Sequence, residues 1–344
     1  MKTLRLNARK PEQAADAVKK AGEILKNGGL VAIPTETVYG LGADALNEKA
    51  VADIFKAKGR PNDNPLIVHI SRIEMLKNLV RKIPENAKRC AERFWPGPFT
   101  MVLPKSEIIP DAVSAGLDTV AVRMPAEKVT RDIIDAAGVP IAAPSANLSG
   151  LPSPTTAEHC LHDLDGVVDA VVLGNDCSVG VESTVVSFAV TPPRLLRPGG
   201  VTPEQLREII PDLVIDKAVL SEPEKGAAVA SPGMKYKHYS PKAHVIMIEG
   251  SREKFIEFVN KNTDDGVYAL CYNQDEKFLK VPSIPVGEDD KACAEHIFAA
   301  LRELDEKGCR LCYAIAPPKS GVGLAVYNRL IRAAGFEVIN LEDK

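Results

Sequence analysis

Lys58 and Arg60 stand two residues apart where an amphipathic stretch stops at Gly59 and gives way to the proline-stiffened loop RPNDNP. Cations at a helix C-terminus are favoured by the macrodipole, so the pair alone reads as an ordinary, exposed helix end. The chemical alternative is a fork for a polyphosphate, with arginine giving bidentate contacts and lysine a point charge. Arg123 in AVRMP (121–125) and Arg197 in LLRPGG (195–200) each end an apolar run just before a proline, and with Lys58 and Arg60 they outline a shared anion site. Hydroxyls and an amide come from PTETVYG (34–40), PSANLSG (144–150) and VESTV (181–185). Ser145 and Asn147 are two apart, so an extended backbone would put both on one side. In open α/β sheets ligands bind beyond the strand ends, and six polar segments of this kind are expected to converge on one pocket.

Other chemistries fit less well. Ser145 has no GxSxG elbow and no His and acid partner pattern, which leaves it a hydrogen-bonding role. GLGADA (40–45) has the spacing GxGxxA, but TETVY separates it from the preceding apolar core and no strand ending in an acidic residue follows about twenty residues on. A Walker A sequence is absent. Cys309 and Cys312 form a CxxC, yet RLCYAIAPP reads as a strand, where residues three apart face opposite sides. His159 and His162 lack further nearby ligands, so no metal site is expected.

The elements that must position these groups are legible as periodicities. Residues 14–27 have helical spacing and end at Gly28 and Gly29, and a second helix runs from Asn47, an N-cap candidate, to Gly59. LVAIPTETVY reads as a strand running into a polar segment, and PLIVHI, FTMVLP, TVAVRMP, VPIAAPS, AVVLG, ESTVVSF and PRLLRPG as further short strands. From residue 243 strand and helix alternate cleanly, through AHVIMIEG, EKFIEFVNK, VYALCY, AEHIFAALREL, CRLCYAIAP, AVYNRLIRAA and FEVINL, which predicts a small, mostly parallel sheet. The chain thus reads as α/β throughout: a larger domain over 1–210, a linker or lid over 211–240 and a smaller, Rossmann-like α/β domain over 241–344.

Composition narrows the class. The 344 residues are 45% hydrophobic and 26% charged, ordinary for a folded protein, and the formal charge of -3 provides no global polycation for nucleic acid. Charges scattered through MKTLRLNARKPEQAADAVKK interrupt any signal peptide, no run reaches membrane-spanning length, and seven cysteines without a regular framework suit a reducing compartment. The expectation is a cytoplasmic protein with no membrane contact.

PTETVYGLGADA, Lys58-Gly-Arg60 followed by PNDNPL, Ser145-Ala-Asn147, ESTVV, LLRPG, SPGMKYKHYSP (231–241) and GVGLAVYNRL (321–330) together resemble the two-domain, YrdC-like threonylcarbamoyl-AMP synthase family over essentially the whole chain. The resemblance implies a twisted mixed N-terminal sheet with helices. It implies synthesis of threonylcarbamoyl-AMP and pyrophosphate, in a YrdC-like catalytic domain, from L-threonine, bicarbonate or CO2, and ATP with Mg2+, the first step of threonylcarbamoyladenosine formation in tRNA. By similarity, Thr35, Tyr39, His69, Arg123 and Ser183 hold threonine, while Lys58, Arg60, Asn62, Thr119, Ser145, Asn147, Ser153 and Arg197 hold ATP. Lys58 and Arg60 would also be catalytic, stabilising the departing pyrophosphate. Partners implied are a tRNA contact and a downstream threonylcarbamoyl transferase. SPGMKYKHYS (231–240) carries cations and aromatics that a plain spacer does not need, so it is expected to be a lid whose Lys235, Tyr236, Lys237 and His238 cover the nucleotide. Two rival classes remain at this stage: an RNA-binding module using the same cations, and a nicotinamide enzyme resting on GLGADA.

Overall fold

The helix that carries Lys58 begins and ends as its sequence dictates. Asn47 accepts the backbone N–H groups of Lys49 and Ala50, and Gly59 closes the helix in the left-handed region at φ 61°. Such elements build two units in a computed structural model that describes residues 2–61, 64–222 and 239–342. The first unit comprises described residues 2–149 and 153–219; the second comprises 150–152, 220–222 and 239–342.

In chain order the first unit contains β1 (Leu4–Asn7), α1 (Pro11–Lys26), β2 (Val31–Ile33), β3 (Gly40–Asp44), α2 (Glu48–Lys58), β4 (Ile67–His69), α3 (Ile73–Leu79), α4 (Glu85–Phe94), β5 (Phe99–Pro104) and α5 (Asp111–Ser114). There follow β6 (Thr119–Arg123), α6 (Lys128–Ala137), β7 (Ile141–Ala142), α7 (Ala157–Leu164), β8 (Ala170–Leu173), β9 (Thr184–Ser187), β10 (Arg194–Arg197), α8 (Pro203–Arg207) and β11 (Val214–Ile215). The strands join in one mixed sheet of order β1-β8-β2-β3-β7-β4-β6-β5-β9-β10-β11.

Side chains alternate along a strand, and residues paired across strands share a face, so register sorts this sheet into surfaces. One face, with Val68, Met101, Val122, Ala142, Val171 and Val186, packs into a core with Val51, Ile54 and Phe55 of α2 and Cys160 and Leu164 of α7. The other face is divided. Over β1, β8, β2 and β7, Leu6, Val172, Val31, Ile33 and Ile141 lie under Ala17, Ala21 and Leu25 of α1 and Ile133, Ile134 and Ala137 of α6. Over β4, β6, β5, β9 and β10, the same face carries a separate small cluster, Ile67, Val102, Ala121, Val185 and Leu196, made of strand residues alone.

The second unit contains β12 (His244–Glu249), α9 (Arg252–Lys261), β13 (Val267–Cys271), β14 (Ser283–Pro285), α10 (Asp290–Glu306), β15 (Leu311–Ile315), α11 (Gly323–Ala333) and β16 (Val338–Asn340). Its sheet, β14-β13-β15-β12-β16, is parallel throughout, as the alternation of strand and helix requires. Cys312 lies within β15 and Cys309 just before it, both as buried free thiols.

LVAIPTETVY is a strand running into a polar segment, as its sequence suggests: β2 stops at Ile33, and the Thr35 hydroxyl accepts the N–H groups of Thr37 and Val38 at 3.1 and 3.3 Å, folding the next residues into a turn. GLGADA is a strand, β3, antiparallel to both β2 and β7, so its glycines open no helix for a dinucleotide, in keeping with its poor match to the fingerprint. One local expectation, an extended backbone carrying Ser145 and Asn147 on one side, is corrected. β7 ends at Ala142, leaving Ser145 in an isolated bridge to Gly40 rather than in a strand with Asn147. β1 and β14 were not anticipated, and the first sheet takes its last strand from 214–215, past residue 210.

Candidate active site

The six polar segments meet in three pairs. The first joins PTETVYG to AVRMP. Arg123 ends β6, is only 3% exposed, and donates from Nε to Gly97 O at 3.2 Å and from Nη1 to Thr37 Oγ1 at 2.8 Å. Thr35 acts on its own turn: besides accepting two N–H groups, it donates to Val38 O at 2.6 Å or shares its proton with Thr37 Oγ1 at 2.9 Å. Tyr39 is fully buried, with its hydroxyl donating to Asn175 O and accepting from Gly174 N–H, both at 3.2 Å. Burial raises its pKa, so it stays a neutral phenol bracing this loop.

The second pair joins VESTV to LLRPGG. Arg197 donates from Nε to Ser183 O at 3.0 Å and from Nη2 to Ser183 Oγ at 3.2 Å, while Ser183 Oγ and Thr100 Oγ1 share a proton at 2.7 Å. Gly199 permits the close approach: a Cβ there would stand 2.4 Å from Glu182 O and Thr184 N. Glu182 in turn accepts the Ser153 hydroxyl at 2.7 Å, so Ser153 is buried.

Register places these two pairs on one surface. His69 is paired with Arg123, Arg123 with Thr100, Thr100 with Val185, and Val185 with Arg197. All therefore share the half-face floored by Ile67, Val102, Ala121, Val185 and Leu196, and Ser183, two residues before Val185, continues it. Thr119 begins β6 on that face too, at the end opposite Arg123. His69 Nδ1 donates to Ile67 O at 3.1 Å, and burial together with the Arg123 charge lowers its pKa to about 3, so the imidazole is neutral.

The third pair joins KAKGRPNDNP to PSANLSG and corrects the exposed helix end. Lys58 is 3% exposed. Its Nζ donates to Asn147 O at 2.6 Å and to Ser145 O, and Ser149 N–H returns a bond to Lys58 O at 2.9 Å. Burial, then the neighbouring Arg60 charge, lowers the Lys58 pKa to about 7. Arg60 is half-buried, its guanidinium 5.7 Å from the Phe55 ring centroid. Because the Gly40–Ser145 bridge and the Ala143 N–H to Ile67 O bond fix 143–145 beside the start of β4, this pair borders the same half-face.

The structure thus brings Thr35, His69, Arg123, Ser183 and Arg197 onto or around one surface, with Lys58, Ser145 and Asn147 along its margin. Asn62, Tyr236 and His238, and with them the expected lid over 231–238, lie outside the described residues. Sequence reasoning missed Thr37, Thr100, Glu36 and Glu182. The alternation in FTMV and TVAVR could have found Thr100, as a lone hydroxyl at an inward position. Arrangement and charge together suit an anionic, hydrogen-bonding ligand spread over an apolar floor.

Residues 23–199 match the family model described as telomere recombination, which groups the Sua5, YciO and YrdC proteins. Residues 201–335 match the threonylcarbamoyl-AMP synthase C-terminal domain. Whole-chain likeness is more particular. Threonylcarbamoyl-AMP synthase of Pyrococcus abyssi is 45% identical over 94% of this chain and 96% of its own, and that of Bacillus subtilis 45% identical over 94% of each. The crystal structure of P. abyssi Sua5 complexed with L-threonine superposes with a TM-score of 0.91 at 43% identity, covering 98% of this chain and all of that one. The chain belongs to the threonylcarbamoyl-AMP synthase family. Among the described residues, no helix is long and apolar enough to cross a membrane.

Proposed function

We propose that the first unit makes threonylcarbamoyl-AMP and pyrophosphate from L-threonine, bicarbonate and ATP, supplying a threonylcarbamoyl transferase that modifies tRNA. The observation that carries the reading is the near-full-length identity to two synthases of that name. The half-face supports it: cations and hydroxyls gather there, among the described residues, without a nucleophile hydrogen-bonded to a base, which suits transfer between bound substrates rather than through a covalent enzyme intermediate.

The threonine amine condenses with bicarbonate, releasing water, to give a carbamate. A carbamate oxygen then attacks the α-phosphorus of ATP and pyrophosphate leaves. Thr35, Tyr39, His69, Arg123 and Ser183 are assigned to threonine, with Tyr39 acting through the loop it braces and Arg123 providing the fixed positive charge. Lys58, Arg60, Asn62, Thr119, Ser145, Asn147, Ser153, Arg197, Tyr236 and His238 are assigned to ATP. In Lys58 and Arg60 the assigned role is to neutralise charge developing on the leaving pyrophosphate.

Magnesium is assigned to the ATP substrate, chelated by its phosphates. Among the described residues no group of three His, Cys, Asp or Glu side chains is arranged to hold a metal, so the donor set fits an ion carried by the nucleotide better than a resident one.

The test is incubation of the full chain with ATP, labelled bicarbonate and each amino acid in turn. Label is expected in an adenylate with L-threonine, and far less with serine, since one methyl group is worth roughly 1 to 3 kcal/mol of discrimination in a fitted pocket. Equal turnover with serine, or none with threonine, overturns the assignment. Binding that falls steeply with salt in the absence of any adenylate would favour an RNA-only module.

A further inference from the structure

Glu36 stands in the middle of PTETVYG with no role in the reading above. It is 9% exposed, and its Oε1 lies 2.7 Å from Arg123 Nη2. The two charges are close but off axis: neither Glu36 oxygen has an aligned hydrogen-bond partner, and nor does Arg123 Nη2. Burial alone would raise the Glu36 pKa; the neighbouring Arg123 charge outweighs it and holds the carboxyl below its usual range, so it is an anion at neutral pH.

A buried ion pair is stable only when the remaining donors and acceptors are filled. Here they are not. Of the five guanidinium N–H donors, Arg123 commits Nε to Gly97 O and one Nη1 proton to Thr37 Oγ1, leaving the Nη2 edge unfilled. Beside it is a carboxylate with both oxygens short of donors. An anion lacking donors next to a cation lacking acceptors is completed by a ligand that brings one charge of each sign a few bonds apart. An α-amino acid is such a zwitterion, with its ammonium and carboxylate joined through one carbon.

We propose that Glu36 receives the α-ammonium of the amino-acid substrate while the Nη2 edge of Arg123 receives its α-carboxylate. The inference rests on the threonine reading and adds to it the group that recognises the amine. Glu36 is a binding and orienting residue. A carboxylate held below its ordinary range is a weak base, so it retains the ammonium rather than removing its proton. Conversion of the amine to a carbamate abolishes the positive charge and with it the attraction to Glu36, so the same side chain discriminates substrate from carbamate.

The test uses calorimetric binding to the full chain, with L-threonine and 3-hydroxybutyrate, its analogue lacking the amine, as ligands and wild type and Glu36→Gln as proteins. Wild type is expected to prefer threonine by on the order of 10- to 100-fold, the worth of one charge-assisted contact. Glu36→Gln should lose that preference by weakening threonine alone, with 3-hydroxybutyrate and ATP affinities unchanged. Glu36→Asp should restore part of it. If Glu36 only braces Arg123, the variant weakens both acids equally, and that result overturns the inference. The wild-type arm needs no variant: equal affinity for the two acids also overturns it while leaving threonine as a ligand. No threonine binding by wild type, with or without ATP, overturns the substrate reading itself, and the inference with it.

Discussion

One face of the first sheet carries two different surfaces. Over β1, β8, β2 and β7 it is apolar and lies beneath α1 and α6; over β4, β6, β5, β9 and β10 it holds Arg123, His69, Thr100, Ser183 and Arg197 around a floor to which no described helix contributes. Both halves obey the same alternation, since Val31 and Ile33 are spaced as Ala121 and Arg123 are. What differs is whether each inward position can be buried against a helix without leaving a charge or hydroxyl unpaired. In the covered half Leu6, Val31, Ile33, Ile141 and Val172 are apolar and buried in this way. In the other half the polar groups satisfy one another in part, and the site is what remains when a sheet face is withheld from core formation.

Breaking the polar half at its most buried charge is expected to have the largest effect. Arg123→Ala leaves the Glu36 carboxylate buried without its cation, and removal of one partner of such a pair costs about 3 to 5 kcal/mol. Denaturant unfolding should show that loss, and the labelled-bicarbonate assay should show no threonine-dependent adenylate from the folded fraction. The same fractional loss of activity and stability in a variant of the covered half would erase the distinction. Ile134→Ala, in α6 over that half, should cost about 2 to 5 kcal/mol through the cavity it leaves, with kcat/KM unaltered below the melting transition. A specific activity that falls with Ile134→Ala would mean that the halves are not separable.

Lys58 gives a smaller, pH-dependent contrast at the margin of the polar half. Its folded pKa of about 7 lies below the ordinary lysine value, so between pH 7 and the ordinary range the unfolded chain holds a proton that the folded chain lacks. Stability therefore rises as pH increases through that window, by at most about 1.4 kcal/mol per pH unit, and the favourable contribution is lost as pH falls through 7. Lys58→Met should flatten this slope in urea unfolding measured from pH 6 to 9. Phosphate beside Lys58 would raise its pKa again, so ATP binding at pH 8 should take up a proton, which calorimetry in buffers of different ionisation enthalpy detects. No uptake would place the ATP phosphates away from Lys58.

Much of this comparison is legible in the sequence. The apolar runs found most strands, Asn47 and Gly59 bounded α2, and the clean alternation after residue 243 gave a parallel sheet. TVAVR even carries its two faces in plain order, with Thr119, Ala121 and Arg123 against Val120 and Val122. What the sequence hid was pairing. Arg123 meets Thr37 across 86 residues and Lys58 meets Asn147 across 89, and no local signal encodes which segments a crossover brings together. Sequence places Lys58 at an exposed helix end because a cation there usually is exposed; two carbonyls from a distant loop give it a buried alternative. Glu36 was passed over because a lone acid in a turn resembles solvated turn chemistry.

The finest test of the divided face lies in one hydroxyl. Thr100 occupies an inward position of β5 between Val185 of β9 and Arg123 of β6, and it spends its hydroxyl on Ser183. Thr100→Val keeps the branched shape and the strand preference but removes that bond. Ser183 Oγ retains Arg197 Nη2 at 3.2 Å, so it is not orphaned, and the expected loss is only about 0.5 to 1 kcal/mol in urea unfolding. Function should suffer more than stability: with Ser183 no longer held from the β5 side, threonine affinity should fall while ATP affinity stays constant. If Thr100→Val instead stabilises the protein and weakens threonine binding, the hydroxyl is kept at the expense of a better core, which sharpens the contrast with the covered half. If it changes neither, Thr100 belongs to the floor rather than to the site, and the polar surface must be redrawn without β5.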